Sequence, residues 1–187
     1  GEQVRVRVGE RGERRGRRAR GARAVPLAGR VSGRGLERAR SAVGGCGVPV
    51  GVMTREVDHF KDVEGRGGDD AGDQVIAGVA QRMRANARPQ DVLCRLGGEE
   101  FLALLPEVSA DTALQVAERL RTAIEAQAFA KVGHVTISAG VSHYPETQSN
   151  PDLAIRQADK ALYRAKHGGR NQSVLYRKRS QQPPPPS

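Results

Sequence analysis

The sequence predicts an α/β sandwich, with helices packed on a central and largely antiparallel sheet. Apolar runs of strand length alternate with segments of helical spacing, in the order β, α, β-hairpin, α, β, α. The two middle runs are separated only by a short glycine turn, so we expect them to pair antiparallel. The chain has 187 residues, which is enough for one domain with a buried core. This order of elements is typical of helices packed on one sheet.

The spacing of apolar residues predicts the first strand and the first helix. Val48–Thr54 is a short apolar run of the length of a strand. From Asp73 onward, apolar residues recur on one helical face, namely Val75, Ile76, Val79, Ala80 and Met83. We therefore expect a helix to begin near Asp73.

A central hairpin is predicted by two apolar segments that flank two glycines and two glutamates. Asp91–Leu96 and Phe101–Pro106 are the strands, and the sequence GGEE, from Gly97 to Glu100, is the tip. Cys94 lies within the first strand and is expected to be a small core residue.

Two helix caps and one β-branched run define the rest of the domain. Ser109 is a good N-cap for a second helix. His134–Val141 is rich in β-branched residues and predicts a strand. Asn150 followed by Pro151 predicts the start of a helix that ends near His167. The apolar face of the second helix is expected to contain Ala113, Leu114, Ala117, Leu120 and Ile124.

Both ends of the chain differ in composition from the middle. Residues 1–40 contain 13 arginines and 4 glutamates, a net charge of +9, whereas residues 41–187 carry a net charge of +1. We expect residues 1–47 to be disordered, because they have too few apolar residues to offset their ordering entropy. A shifted reading frame in a GC-rich gene and a native basic linker both explain this composition. Residues 48–176 are predicted to form the domain, followed by a disordered, proline-rich tail at 177–187.

Composition also excludes several classes of protein. The middle of the chain has no basic stripe with aromatic residues, so we expect no nucleic-acid binding by the folded part. The two cysteines have neither the number nor the spacing of a disulfide framework or a zinc site. The sequence has neither a long apolar run nor a signal peptide, so a cytoplasmic protein without a membrane segment is expected.

The stretch RLGGEEF, from Arg95 to Phe101, is the first candidate functional site. The local sequence alone favours a solvated hairpin turn. The alternative is a site where glycines let a polyphosphate approach the backbone and a carboxylate holds the cation. Glu56 and Asp58 follow the first strand and would project from one face as a second acidic edge. Carboxylates from two strands repel each other unless a cation lies between them. A Mg²⁺–phosphate site and a set of solvated acids both remain open on these residues alone.

Four motifs occur in a fixed order across roughly residues 48–175. They are VDHFKDVEGRGGDDAGDQVI, RPQDVLCRLGGEEF, VTISAGVS and ADKALYRAKHGGRN. Together they resemble the GGDEF family of diguanylate cyclases. The resemblance implies the nucleotide-cyclase-like fold of that family and the condensation of two GTP molecules to cyclic di-GMP, with release of pyrophosphate. It also implies a divalent cation, Mg²⁺ or Mn²⁺, and a homodimer in which two active sites face each other.

The resemblance implies a role for each residue of the hairpin tip. The pair Gly97 and Gly98 would let the turn approach the GTP phosphates, and Glu99 would bind the metal. Glu100 would lie near the attacking 3′-hydroxyl, as a base or an electrostatic orienter.

Residues outside the tip match further family positions. Glu56 stands in place of the other metal carboxylate, normally Asp, beside the backbone carbonyl of Val57. Lys166 and Arg170, expected one helical turn apart, match positions that contact phosphate. Asp73 matches a carboxylate that contacts guanine.

A product site is implied by Arg88 and Asp91, which form an RxxD arrangement just before the hairpin. In this family the pair marks an inhibitory site for cyclic di-GMP. The resemblance thus implies product inhibition in addition to catalysis.

The sequence also departs from the family pattern. The family's opening signature is not found in the first forty or so residues, and GRGGDD, Gly65 to Asp70, replaces a segment that normally carries Asp, an aromatic residue and Gly-His. Glu64 replaces the usual guanine-contacting Asn. The Asn amide can both donate and accept hydrogen bonds, whereas the Glu carboxylate can only accept them. Glu56 adds a methylene to a metal ligand.

Two alternatives to an active cyclase follow from these departures and from the charge distribution. The first is a catalytically weak GGDEF domain that senses cyclic di-GMP through Arg88 and Asp91. The second is an arginine-rich nucleic-acid binder, which would depend entirely on residues 1–40.

Overall fold

A five-stranded sheet with three helices forms the fold, in a computed structural model that describes residues 48–144 and 150–177. The predictions for residues 1–47 and 178–187 lie outside the described residues. In chain order the elements are β1 Val50–Val57, α1 Phe60–Ala85, β2 Val92–Gly97, β3 Glu100–Pro106, α2 Ala110–Glu125, β4 Ile137–Tyr144, α3 Pro151–His167 and β5 Ser173–Leu175.

The strand order across the sheet is β2-β3-β1-β4-β5. The first three pairs are antiparallel, and β5 joins β4 in parallel. The predicted class, an α/β fold with a largely antiparallel sheet, is therefore confirmed. The sheet order puts β1 in the centre, so that the ends of β1, β3 and β4 are neighbours.

The two faces of β1 separate two layers of helices. Met53 and Val57 belong to a core cluster that includes buried residues of α1 and α2. Val50 and Val52 belong to a second cluster, which includes Ala154 and other residues of α3. Because side chains alternate along a strand, β1 packs α1 and α2 on one face and α3 on the other.

The predicted helix caps are confirmed. Ser109 Oγ accepts a hydrogen bond from the Thr112 amide at 3.1 Å. Asn150 Oδ1 accepts one from the Asp152 amide at 3.0 Å, with proline following at the first helical position. Each cap satisfies a backbone N–H that the helix leaves without a partner, which explains where α2 and α3 begin.

Several predicted boundaries were wrong. The helix expected to begin at Asp73 begins at Phe60 and contains a break at Gly68, where φ is 73°. The glycine-rich segment hides the helical pattern, although Val63 is fully buried and holds the first part of α1 in place. The strand expected at Val48–Thr54 extends to Val57, and the strand expected at His134–Val141 runs instead from Ile137 to Tyr144.

Cys94 is confirmed as a core residue, and burial raises the pKa of its thiol to about 11. None of the helices in the described part of the chain combines the length and apolar character needed to cross a bilayer.

Candidate functional site at the β2–β3 hairpin

The hairpin tip is an open turn built on two glycines. Gly97 and Gly98 have φ values of 157° and 47°, and no atom would meet a Cβ within 4 Å at either position. Arg95 Nε donates to the carbonyl of Gly98 at 2.9 Å, which fixes the turn from its own strand. The tip therefore exposes its backbone to solvent, as a ligand-binding turn requires.

The tip lies against the end of β1, where Glu56, Glu99 and Glu100 form what we call the carboxylate cluster. Glu56 is directly opposite Glu100 across β1 and β3, and the Val57 amide donates to the carbonyl of Glu99 at 3.3 Å. Partial burial raises the pKa of Glu100, and the nearby carboxylates of Glu56, Glu99 and Asp159 raise it further, against the opposite effect of Lys166. Like charges in this arrangement favour a bound cation or a proton.

A divalent cation would find a small set of oxygen ligands here. The described residues contain no group of three or more His, Cys, Asp or Glu side chains arranged to hold a metal. Glu56, Glu99 and the carbonyl of Val57 nevertheless fit Mg²⁺, which is commonly bound by one or two carboxylates together with substrate phosphates.

Lys166 reaches the same cluster from α3, a contact that the sequence did not predict. Its Nζ lies 2.7 Å from Glu56 Oε1, and the Lys166 and Glu56 side chains are 31% and 18% exposed. Lys166, which was expected to contact phosphate, thus forms an ion pair with Glu56, which was expected to bind the metal. The ammonium group occupies Oε1 of Glu56, so it competes with a metal cation for this carboxylate.

Asp58 does not form the acidic edge that was expected beside Glu56. Its side chain is buried, and its oxygens accept hydrogen bonds from Thr136 Oγ1 at 2.7 Å and Ser138 Oγ at 2.6 Å. A third bond comes from the Asn171 amide at 3.0 Å. Asp58 is therefore a structural anchor, because these three donors occupy the carboxylate in the interior.

Arg170 lies beyond the end of α3, so the expected spacing of one helical turn from Lys166 was wrong. The helix ends at His167, and both Arg170 and Asn171 have positive φ values, of 62° and 45°. Arg170 is exposed in the short connection to β5.

Glu64 and Asp73, the two expected guanine contacts, are exposed on α1 on either side of its break. A Cβ on Gly72 would meet Glu64 Cγ at 3.0 Å, so the Glu64 side chain lies over the residue that precedes Asp73. The break at Gly68 brings these two positions to one region of the helix. No hydrogen bond between described residues joins them to the carboxylate cluster.

Arg88 and Asp91 form a compact unit at the other end of the hairpin. The Arg88 Nη2 and Nε atoms donate to Asp91 Oδ1 at 2.8 and 3.1 Å, and the Arg88 amide donates to Oδ2 at 2.8 Å. Nη2 also donates to the carbonyl of Pro106 at the end of β3. The Asp91 side chain is 2% exposed and that of Arg88 is 36% exposed. The full length of β2 therefore separates this unit from the GGEE tip.

Sequence reasoning missed Asn171, which contacts three parts of the fold, and Arg55, which is buried in β1. Arg55 had a local signal, because it stands between Met53 and Val57 on the inward face of an alternating strand. Asn171 had none, because its partners are 46 to 113 residues away.

These features define a mixed α/β domain whose sheet carries an acidic Gly-Gly-Glu-Glu turn beside a second strand-end carboxylate. A family model described as diguanylate cyclase, GGDEF domain, matches residues 34–172. The chain belongs to the GGDEF-domain family, and the resemblance seen in its motifs is confirmed.

Relatives and solved structures agree with this assignment. The chain is 37% identical over 134 residues to the response regulator PleD of Caulobacter vibrioides and 41% identical over 132 residues to the probable diguanylate cyclase DgcT of Escherichia coli. Each match covers 68% of this chain but only 29% of the relative.

Among solved structures, the active GGEEF domain of a diguanylate cyclase from Vibrio cholerae superimposes with a TM-score of 0.73 at 28% identity. This match covers 82% of the present chain and 99% of that one. The coiled coil and GGDEF domain of DgcB from Caulobacter crescentus, in complex with c-di-GMP, gives a TM-score of 0.67 at 27% identity, covering 75% and 76% of the two chains.

Proposed function

We propose that this GGDEF domain is a diguanylate cyclase, which condenses two GTP molecules to cyclic di-GMP and releases pyrophosphate. The observation that carries the proposal is the meeting of the hairpin tip with the end of β1, where Glu56 is paired with Glu100 and Val57 with Glu99. A probable diguanylate cyclase among the relatives, and an active GGEEF domain among the similar structures, support it. The proposal implies a cytoplasmic location, since GTP is its substrate.

The metal is proposed to be Mg²⁺ or Mn²⁺, held by Glu56, Glu99 and the carbonyl of Val57. All three offer oxygen ligands, which hard cations prefer. When bound, such a cation neutralises triphosphate charge and favours displacement of pyrophosphate.

The protein's own groups bind and orient the substrate. Lys166 and Arg170 are expected to contact phosphate, while Glu64 and Asp73 are expected to contact guanine. Glu100 would orient the 3′-hydroxyl or accept its proton, because a carboxyl of raised pKa is a better proton acceptor near neutral pH. The 3′-oxygen then bonds to the α-phosphorus of the second GTP, and pyrophosphate leaves with the electron pair of the broken P–O bond.

The direct experiment compares wild type with Glu99→Gln during incubation with GTP and Mg²⁺, and follows products by chromatography. Loss of cyclic di-GMP without loss of thermal stability is expected, because Glu99 supplies charge at an open turn. Glu107→Gln is the matched control, since Glu107 is an exposed glutamate just beyond the opposite end of β3. Wild-type protein that forms no product under these conditions would refute the cyclase proposal.

The second candidate is a sensor that binds cyclic di-GMP at Arg88 and Asp91 without catalysis. The pre-formed Arg88–Asp91 unit favours it, because its guanidinium is held in place and remains partly exposed. A GGDEF structure solved in complex with c-di-GMP also supports product binding. An active enzyme could use the same site for product inhibition.

Replacement of Arg88 tests this site. Arg88→Ala should weaken cyclic di-GMP binding by about 1.5–3 kcal/mol, the range for hydrogen bonds to charged groups, as measured by calorimetry. Arg84→Ala, an exposed arginine near the end of α1, is the control. In an active enzyme the Arg88 variant should also accumulate more product, whereas a sensor shows no turnover in either form. Unchanged affinity in a folded Arg88→Ala protein would exclude the site.

A further inference from the structure

The connection between α3 and β5 has a backbone that side chains other than glycine seldom adopt. Gly169, Arg170 and Asn171 have consecutive positive φ values of 116°, 62° and 45°. Positive φ is unfavourable for arginine, and such conformations persist only where the surroundings hold them. The contacts that hold this segment are therefore informative about its function.

One set of contacts comes from the end of β1. The Asn171 amide donates to Asp58 Oδ2 at 3.0 Å. Asp58 is itself held by the hydroxyl groups of Thr136 and Ser138. Asp58 lies two residues after Glu56, so this bond ties the backbone next to Arg170 to the end of β1 that carries Glu56.

A second set of contacts comes from α2 and uses the Asn171 side chain. Arg121 Nη1 donates to Asn171 Oδ1 at 2.7 Å, and Asn171 Nδ2 donates to Glu125 Oε1 at 2.8 Å. Arg121 also forms ion pairs with Glu118 and Glu125, its neighbours on the same helix face. We call Asp58, Glu118, Arg121, Glu125 and Asn171 the Asn171 network.

The network provides hydrogen-bond partners for three polar groups of Asn171. Its amide N–H, its side-chain oxygen and its side-chain nitrogen each have a partner, and two of the partners are carboxylates. Hydrogen bonds to charged groups are stronger than bonds between neutral groups. Glu118 extends the network to the next strand by accepting a hydrogen bond from the Ser173 amide at 2.9 Å.

We propose that Asn171 is a positioning residue that holds Arg170 where its guanidinium can contact the GTP phosphates. This inference rests on the proposed function, which gives Arg170 its phosphate. The Asn171 network fixes the backbone on the C-terminal side of Arg170, while the Arg170 amide bonds to the carbonyl of Ala165 in α3 at 3.0 Å. Arg170 is thus held through its backbone on both sides, and its exposed side chain forms no hydrogen bond or ion pair with the residues that the structure describes, so it is available to a ligand.

The test uses Asn171→Gly, because glycine accepts the φ of 45° and keeps the amide bond to Asp58 while losing both side-chain bonds. The probe is 3′-deoxy-GTP with Mg²⁺, which lacks the attacking hydroxyl and so binds without turnover. We expect its affinity for the full chain to fall about tenfold, with a small change in melting temperature. Trypsin should also cut the Arg170–Asn171 bond faster, as followed by mass spectrometry.

Two further variants give the test its specificity. Asn86→Gly is the matched control, because it removes a side-chain bond to the carbonyl of Arg82 at the end of α1, outside the Asn171 network, and should change neither affinity nor the cleavage rate at Arg170. Arg121→Lys retains the charge but cannot hold Asn171 and two glutamates together, so it should resemble Asn171→Gly.

The outcomes separate this inference from the proposed function. Unchanged 3′-deoxy-GTP affinity in Asn171→Gly would overturn the positioning role, even if the melting temperature fell, because a purely structural residue affects only stability. A wild-type protein that binds 3′-deoxy-GTP but converts GTP to no cyclic product would refute the cyclase while leaving the positioning test intact. Failure of the wild type to bind the probe would overturn both.

Discussion

Arg55 is a charged residue in the middle of the core. Its side chain lies on the same face of β1 as Met53 and Val57, and the residue is 1% exposed. Its Nη2 contacts Met53 Sδ, while Nε and Nη1 have no hydrogen-bond partner in the described part of the chain. Burial lowers the pKa of Arg55 to about 9, so the group is still protonated at neutral pH. A cation without a counterion in the core destabilises the fold.

Replacing Arg55 with leucine should therefore stabilise the protein. We expect a gain of about 1–4 kcal/mol in the free energy of unfolding at pH 7, from urea titration. The folded-state pKa lies below the ordinary pKa of an arginine, so the destabilisation is complete below about pH 9 and decreases as the pH rises above it. The advantage of Arg55→Leu should thus become smaller at pH 10 than at pH 7. A leucine variant less stable than wild type would show that Arg55 has a partner that compensates its burial.

The Lys166–Glu56 ion pair leads to a second prediction at the residue scale. The ammonium group neutralises one of the carboxylates proposed to bind metal. Lys166→Met should increase the affinity for Mn²⁺ in the absence of nucleotide, by about tenfold, because the carboxylates of Glu56 and Glu100 lose the ammonium group beside them. Electron paramagnetic resonance of free Mn²⁺ measures this directly.

A control on the same helix distinguishes a local effect from a general loss of charge. Lys160 is exposed on α3, so Lys160→Met should leave Mn²⁺ binding nearly unchanged. Equal Mn²⁺ affinity in Lys166→Met and wild type would mean that Glu56 is not part of the metal site.

At the scale of elements, β4 and α3 approach each other so closely that a single hydrogen atom fits between them at one position. A Cβ on Gly140 would overlap the backbone of Ala158 and Leu162. Backbone atoms in a helix cannot move aside as a flexible side chain can. The fit of the second helix layer against the sheet therefore depends on glycine at this position.

Gly140→Ala is expected to destabilise the domain by at least about 3 kcal/mol, the upper part of the range for overpacking. Gly65→Ala is the matched control, because Gly65 is exposed in α1 and no atom lies within 4 Å of its would-be Cβ. The control should stabilise α1 by up to about 1 kcal/mol, the difference in helix propensity. Urea unfolding of both variants gives the comparison, and a Gly140→Ala protein as stable as wild type would contradict the packing described for β4 and α3.

Elements with local signals were predictable from sequence, and those defined by distant contacts were not. Ser109 and Asn150 cap their helices through neighbours two or three residues away, so the starts of α2 and α3 could be predicted. β5 has three residues and exists by pairing with β4, more than thirty positions earlier. The first turns of α1 contain several glycines, and burial of residues such as Val63 against the sheet overrides their low propensity.

In the candidate site, too, local features could be predicted from the sequence and contacts between distant residues could not. The GGEE tip is contiguous in sequence, and its hairpin agrees with the prediction. The RxxD pair is also contiguous, and its role as a product site stays a prediction. Lys166 and Glu56 are 110 residues apart, and only the fold brings them together. The three groups that donate hydrogen bonds to the Asp58 carboxylate likewise lie 78 to 113 residues away in sequence, so its role as an anchor could not be predicted.

At the scale of the whole molecule, the described chain has one GGEE hairpin, whereas the proposed product contains two identical phosphodiester linkages. One domain would bind one GTP, and each linkage needs a 3′-hydroxyl directed at the α-phosphorus of the other nucleotide. Two copies related by a two-fold axis meet this need, since the same surface then faces itself. The chain covers only 29% of the length of relatives such as PleD, and it need not contain every segment that brings two domains together.

Specific activity should therefore rise with protein concentration at saturating GTP and Mg²⁺. The rate would grow with the square of concentration while monomers dominate and become proportional to concentration once dimers form. Addition of Glu99→Gln protein to a fixed amount of wild type should lower the yield of cyclic di-GMP, because mixed dimers lack one metal carboxylate. Constant specific activity at a concentration where mass photometry shows only monomers would contradict the requirement for two domains.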